Sequence, residues 1–146
     1  MKIISPQYYN SLPYVIEEAK FEDLVGKIIY KIDNDGGEEI RLYTTKFENG
    51  PFYKMHHVSD CCEYVGVEDI VGNLEDLIGY PILMAEEIIS GDIQEWEDPE
   101  TYRESFTWTF YKLATIKGYV TIRWLGTSNG YYSESVDFIF YNKIIK

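Results

Sequence analysis

Residues 105–140 read SFTWTFYKLATIKGYVTIRWLGTSNGYYSESVDFIF, and the alternation within them decides the fold. Phe106, Trp108 and Phe110 alternate with Thr107, Thr109 and Tyr111. Val120, Ile122 and Trp124 alternate with Thr121 and Arg123, and Val136, Phe138 and Phe140 with Ser135, Asp137 and Ile139. A period of two sends successive side chains to opposite faces of a strand. Lys117-Gly118 joins the first two runs. Asn129-Gly130 joins the last two, and this dipeptide tolerates the positive φ angles of a tight hairpin turn. The pattern predicts a three-strand antiparallel meander whose aromatic face, with Phe106, Trp108, Phe110, Ile122, Trp124, Val136 and Phe138, forms the centre of the core.

Working outward, Asp33-Asn34-Asp35-Gly36-Gly37 is a turn between two alternating runs, Lys27 to Asp33 and Glu38 to Thr45, and so predicts a hairpin. Phe52 to Val58 and Cys61 to Val67 read as further strands, as does the apolar run Ile82 to Ile89. Between them the period changes. Ile70, Val71, Leu74, Leu77 and Ile78 recur at three- and four-residue spacing, which predicts a short amphipathic helix over Glu68 to Gly79. Tyr14 to Lys20 fits a helical turn or two, the stretch through Pro13 is turn-rich, and Gly91 to Glu104 reads as an exposed acidic loop. The expected fold is α+β: a mainly antiparallel β-sheet of six to eight strands crossed by one or two short helices. Residues 1–20 form an N-terminal surface segment and residues 21–146 a single α+β domain. Ile28, Leu42, Ile70, Leu74, Leu77 and Leu83 complete the expected core.

Charge is distributed unevenly along this 146-residue chain of net charge −12. From Asp60 to Glu104 there are fourteen carboxylates against one base, Arg103, whereas the rest of the chain is nearly balanced. Affinity for a phosphate backbone comes from Lys and Arg that displace counterions, and docking on anionic membrane needs the same residues, so neither partner is expected. The expected partner is a basic protein surface, met by an acidic face comprising Glu68, Asp69, Glu75, Asp76, Glu86, Glu87, Glu95, Glu97 and Asp98. The oligomeric state is not legible. No apolar run approaches the roughly 18 residues of a membrane span, and the N-terminus lacks the pattern of a signal peptide. With only two cysteines, adjacent ones, the chain is expected to be cytoplasmic, with Cys61 and Cys62 as reduced thiols.

Three constellations carry ligating or catalytic residue types. His56, His57, Asp60, Cys61 and Cys62 offer zinc-ligand chemistry within seven residues. Adjacent histidines on a strand point to opposite faces, however, and no second ligand pair lies elsewhere. The acidic neighbours would also raise a thiol's pKa rather than activate it. The paired carboxylates Glu68-Asp69, Glu75-Asp76, Glu86-Glu87 and Glu97-Asp98 are numerous enough to be a solvated face rather than a catalytic pair. Arg123, with Asn129, Tyr131 and Tyr132 at the predicted hairpin tip, offers a cation beside aromatic rings, a combination suited to a phosphate or a stacked base. No phosphate-cradling glycine loop and no nucleophile motif is present, and the residues call for no cofactor and no catalytic group.

The stretches Asp60-Cys61-Cys62-Glu63, Gly72-Asn73-Leu74-Glu75-Asp76-Leu77-Ile78-Gly79, Pro81-Ile82-Leu83-Met84-Ala85-Glu86-Glu87, Trp108-Thr109-Phe110-Tyr111-Lys112-Leu113-Ala114-Thr115 and Ser128-Asn129-Gly130-Tyr131-Tyr132-Ser133 resemble an uncharacterised family of small proteins found in phages and prophages of Gram-positive bacteria. The resemblance covers roughly Phe21 to Phe138. It implies a phage accessory protein in a host cytoplasm and carries over no functional residues. The sequence-level expectation is therefore a non-enzymatic interaction or inhibitor protein that occupies a basic nucleic-acid-binding surface of a host defence protein. The alternative is a nucleotide-sequestering module built on Arg123 and the tyrosines.

Overall fold

The computed structural model describes residues 3–9, 12–47, 50–90 and 105–143. In chain order the strands are β1 Ile3–Tyr9, β2 Leu12–Glu18, β3 Lys31–Asp35, β4 Glu39–Tyr43, β5 Phe52–His56, β6 Tyr64–Val71, β7 Met84–Ser90, β8 Ser105–Thr115, β9 Gly118–Ser128 and β10 Asp137–Lys143. They form two antiparallel sheets, one of six strands in the order β1-β2-β10-β5-β4-β3 and one of four in the order β6-β9-β8-β7.

The α+β expectation is overturned. The fold is antiparallel β, and the helical segments among the described residues are single 3-10 turns at Phe21–Leu24 and Leu74–Leu77. Tyr14 to Lys20 is not helical: its first part belongs to β2, which pairs with β1 on one side and β10 on the other. The β-branched pair Val15 and Ile16 suits a pleated surface better than a helix. The helical spacing of residues 68–79 has two separate sources. Ile70 and Val71 end β6, Gly72 turns the chain at φ +102°, and Leu74 and Leu77 face inward from one 3-10 turn, where the Asn73 side chain caps the Glu75 N–H. Two short elements in series imitate a period that neither possesses.

The β3–β4 hairpin forms at the predicted place, with Gly36 and Gly37 supplying the positive φ values of its turn. The β8–β9 hairpin also forms, and Ile116 and Lys117 are its two turn residues, enclosed by the pair Thr115–Gly118. The expected three-strand meander does not form. After Ser128 the chain leaves the four-stranded sheet, and β10 inserts between β2 and β5 of the other.

One core fills the space between the sheets. Ile40, Leu42, Tyr53, Met55 and Phe138 come from the six-stranded sheet, and Val65, Ala85, Tyr111, Leu113, Val120, Ile122 and Trp124 from the four-stranded one. Phe21 bridges them, 4.6 Å from the Tyr111 ring and 5.3 Å from that of Phe138. Leu42, Leu77, Ile122, Trp124 and Phe138 are buried as expected, and Ile70, Leu74 and Val136 pack against the core from its margin. The expected phase of β8 is reversed. Thr109, Tyr111 and Leu113 point inward, whereas Trp108 and Phe110 lie half-buried on the outer face and Phe106 is exposed there. Directly opposed residues in an antiparallel pair share a face, and Trp124 stands opposite Thr109, Ile122 opposite Tyr111. A one-residue offset also separates expectation from structure at two other sites. Ile29 is buried while Ile28 is half-buried, and Ile82 is buried while Leu83 is exposed.

Candidate functional site

The loop from His57 to Glu63 joins β5 to β6 and is organised around one carboxylate. The Glu63 side chain is fully buried. It accepts hydrogen bonds from Ser59 Oγ at 3.1 Å, from the Asp60 N–H at 3.1 Å and from the Cys61 N–H at 3.0 Å. His57 Nε2 lies 3.1 Å away, and the other ring nitrogen, Nδ1, is 2.8 Å from the Ser135 carbonyl oxygen. The backbone N–H of Cys61 is the main reason the Glu63 carboxyl is held down to about 2, with the Asp60 N–H and His57 adding to it. The loop therefore behaves as a closed knot. It also ties the end of β5 to the segment leading into β10 through His57 Nδ1 and the Ser135 carbonyl oxygen; at the start of β10, burial pushes the Asp137 carboxyl up, opposed by His57 and the Val58 N–H.

The predicted metal candidates are divided by this arrangement. His56 sits on the opposite side of the strand end, directly across from Glu39 and Asp137. Burial, reinforced by Lys54, His57 and Arg41, lowers its pKa to about 4. His57 is engaged with Glu63, Asp60 contributes its backbone N–H, and the Cys61 and Cys62 sulfurs are bonded to each other rather than present as the expected reduced thiols. Among the described residues no group of three or more His, Cys, Asp or Glu side chains is placed to hold a metal ion.

The Arg123 constellation is likewise pulled apart. Arg123 lies mid-strand on the outer face of β9, where Nε is 2.8 Å from Asp69 Oδ1 and the guanidinium stacks over the Trp108 ring at 5.0 Å and the Phe110 ring at 5.9 Å. Asn129, Tyr131 and Tyr132 occupy the loop beyond the end of β9, and five residues of extended strand separate Arg123 from Ser128, about 17 Å. Tyr131 and Tyr132 pack edge to face at 5.0 Å. The same loop holds a carboxylate that sequence reasoning passed over. Glu134 is buried against Ser105, Thr107 and Ser128, whose hydroxyls all donate to it, with Thr107 Oγ1 at 2.7 Å. Gly126 makes room for it, since a Cβ there would fall 2.4 Å from the Glu134 carbonyl oxygen. Alternating hydroxyl residues on β8 were the available signal.

The acidic candidates fall into two groups. Glu95, Glu97 and Asp98 lie outside the described residues. Of the other six, Glu75, Asp76, Glu86 and Glu87 lie towards the end of the four-stranded sheet at which β8 turns into β9, whereas Glu68 and Asp69 lie level with the middle of β9, Asp69 opposite Arg123. Glu68 and Asp69 are on edge strand β6, and Glu86 and Glu87 on the opposite edge strand β7. Two strands stand between those edges, a span of about 14 Å. Glu75 and Asp76 close the gap from the 74–77 turn, where Thr115 Oγ1 donates to the Asp76 carbonyl oxygen 2.5 Å away. Asp69 is neutralised by Arg123. Among the described residues no Lys or Arg is in ion-pair contact with Glu68, Glu75, Asp76, Glu86 or Glu87, although Lys112 stands directly opposite Glu86 across the β7–β8 pair.

The six-stranded sheet contrasts with this. On its outer face Arg41 Nη2 and Lys54 Nζ converge on Glu39 at 2.6 and 3.3 Å, and Lys31 lies 3.6 Å from Asp33. The same cations cover aromatic rings, Arg41 over Phe52 at 5.2 Å and Lys54 over Tyr141 at 4.9 Å. Cross-strand register explains the grouping: Arg41 stands opposite Lys54, and Glu39 lies two residues along on the same face.

Among the described residues no helix is long and apolar enough to cross a membrane. No curated protein and no solved structure matches the chain. A family model matches residues 22–138, from within the first 3-10 turn to the start of β10, and by that match the chain belongs to the family described as Domain of unknown function (DUF7448).

Proposed function

We propose that this is a non-enzymatic binding protein that engages a basic protein surface through the carboxylates around the β8–β9 end of the four-stranded sheet. The observation that carries the reading is the different use of charge in the two sheets. Lys31, Arg41, Lys54 and Arg123 form ion pairs with carboxylates of their own sheets, while Glu68, Glu75, Asp76, Glu86 and Glu87 form none among the described residues, Lys112 opposite Glu86 included. An unneutralised ring of acids projects a directional field, which accelerates encounter with a positive surface and repels a negative one. The resemblance to phage-borne proteins supplies the setting: a host protein that handles nucleic acid presents such a surface, and carboxylates at spaced positions substitute there for phosphates. A host defence protein is the partner this reading favours.

The test is retention of host proteins on immobilised chain at low and moderate salt, with the quadruple variant Glu68→Gln, Glu75→Gln, Glu86→Gln, Glu87→Gln as comparison. A basic protein is expected to be retained by the native chain, to weaken as the Debye length shrinks below about 8 Å, and to be lost with the variant. Recovery of no basic protein, or equal recovery by the variant, overturns the reading.

A further inference from the structure

The ring of acids encloses an apolar centre. Ile116, at the tip of the β8–β9 turn, is 71% exposed, and Tyr119, just beyond it on β9, is 73% exposed. Val71 ends β6 opposite Thr121, two residues from Tyr119, and is 57% exposed; Gly72 beside it approaches the Tyr119 carbonyl. On the other side Leu83, also 57% exposed, donates its N–H to the Ala114 carbonyl, and Ala114 stands directly opposite Tyr119. Tyr119 is the centre of the group: Ile116 shares its hairpin, and Val71 and Leu83 flank it from the two edges of the sheet, each within about two strand spacings of it, roughly 10 Å. Single exposed apolar residues need no explanation, but a contiguous group rimmed by polar residues marks a contact surface.

From this juxtaposition we infer that the β8–β9 end of the four-stranded sheet is the docking surface itself, and that its occupant is a basic amphipathic segment of a partner protein, with apolar side chains flanked by Lys or Arg. Charge complementarity selects that occupant. The rim holds Glu75, Asp76, Glu86 and Glu87 against Lys112 and Lys117, and Lys117 is drawn over the Tyr80 ring at 5.3 Å. An acidic or purely apolar segment leaves the rim carboxylates unmatched, and a second copy of this chain brings the same negative ring to face its own. Contact surfaces work in this way, with an apolar or aromatic centre that supplies affinity and a charged rim that supplies steering and register. Tyr119 is the expected anchor, because a tyrosine buries much area at the cost of few rotatable bonds.

The inference rests on the proposed function, and two probe peptides separate the failure of one from the failure of the other. One alternates Lys with Leu along an amphipathic pattern, and the other carries Ser at every Leu position with the same charge. Both are titrated into the full chain at about 50 mM salt. The Lys/Leu peptide is expected to bind at least about tenfold more tightly than the Lys/Ser peptide, and Ile116→Ser with Tyr119→Ser to abolish that difference. Tyr131→Ser, on the loop at the far end of β9, is expected to leave it intact. Failure of both peptides to bind overturns the acidic-surface reading and the inference with it. Equal binding of both peptides, unaffected by the Ile116 and Tyr119 substitutions, keeps the acidic-surface reading and overturns the docking surface. Concentration-dependent self-association that those two substitutions remove overturns the inference in favour of a second copy.

Discussion

The outer face of the six-stranded sheet and the hairpin end of the four-stranded sheet use the same residue types to opposite ends. On the first, Glu39 sits between Arg41 and Lys54, each of them mostly buried and lying over an aromatic ring. On the second, carboxylates outnumber Lys112 and Lys117 round exposed Ile116 and Tyr119, and none of them is in ion-pair contact with a cation among the described residues. Net charge is a property of the whole chain, but a field belongs to the place where charges go unmatched. The six-stranded sheet folds its charges into its own stability, whereas the hairpin end leaves them available to a partner.

Breaking the first region is expected to give the largest effect. Glu39→Gln removes the shared anion and leaves Arg41 and Lys54 in mutual repulsion on a poorly solvated face. Severing a fully buried pair costs about 3–5 kcal/mol, and the side chains here keep some contact with water, so a loss of about 2–3 kcal/mol is expected. Urea denaturation of native chain and variant measures it. A loss below about 0.5 kcal/mol would mean that the cluster is as loose as an ordinary surface pair.

Acid tests a third use of a carboxylate, the buried one that organises the β5–β6 loop. The Glu63 carboxyl is held at about 2 in the folded chain, below its unfolded value of about 4.3. Its contribution is thus fully present above pH ~4.3 and is lost as pH falls towards 2. The stability gap between native chain and Glu63→Gln is expected to be constant from neutral pH down to about 4.5 and to close steadily below that. A gap that persists unchanged to pH 2 would show that the knot of Ser59, Asp60, Cys61 and His57 does not depend on the charge of Glu63.

Much of this was legible in the chain, and the parts that were not have identifiable causes. The β3–β4 and β8–β9 hairpins, and the strands β5 and β7, follow from alternation and turn residues. The phase of β8 was also legible, although its aromatic residues point to the wrong answer. A two-residue turn pairs odd-numbered with even-numbered positions, so inward Ile122 and Trp124 require inward Thr109 and Tyr111 and exclude Trp108, whatever its size. Side-chain bulk is a weaker guide than register, because the outer face can shelter Trp108 beneath Arg123. The insertion of β10 between β2 and β5 was beyond reach. Asn129-Gly130 indicates a reversal of direction, but pairing partners far apart in sequence leave no local trace. Of the site, the acidic residues were visible as a block. Their arrangement round the hairpin end depends on the antiparallel placement of β6 and β7 on opposite edges, which only the sheet order reveals.

The smallest expected effect is the one most specific to the comparison. If carboxylates at the hairpin end serve a partner and not the fold, neutralising them should leave stability unchanged or slightly raised. Glu68→Gln with Glu75→Gln removes two unpaired charges without altering shape, and both side chains are exposed, so no buried hydrogen bond is lost. Relief of repulsion between solvated charges is worth a few tenths of a kcal/mol per site, shrinking as salt is added. The double variant is therefore expected to be more stable than the native chain by up to about 0.5 kcal/mol at low salt and indistinguishable from it at high salt. Urea midpoints at two ionic strengths decide the matter. A destabilisation of about 1 kcal/mol or more would place these acids among the supports of the fold, as Glu39 is, and would erase the distinction between the two faces. A gain that vanishes with salt would identify the hairpin end as a surface that gives up stability to keep its charge.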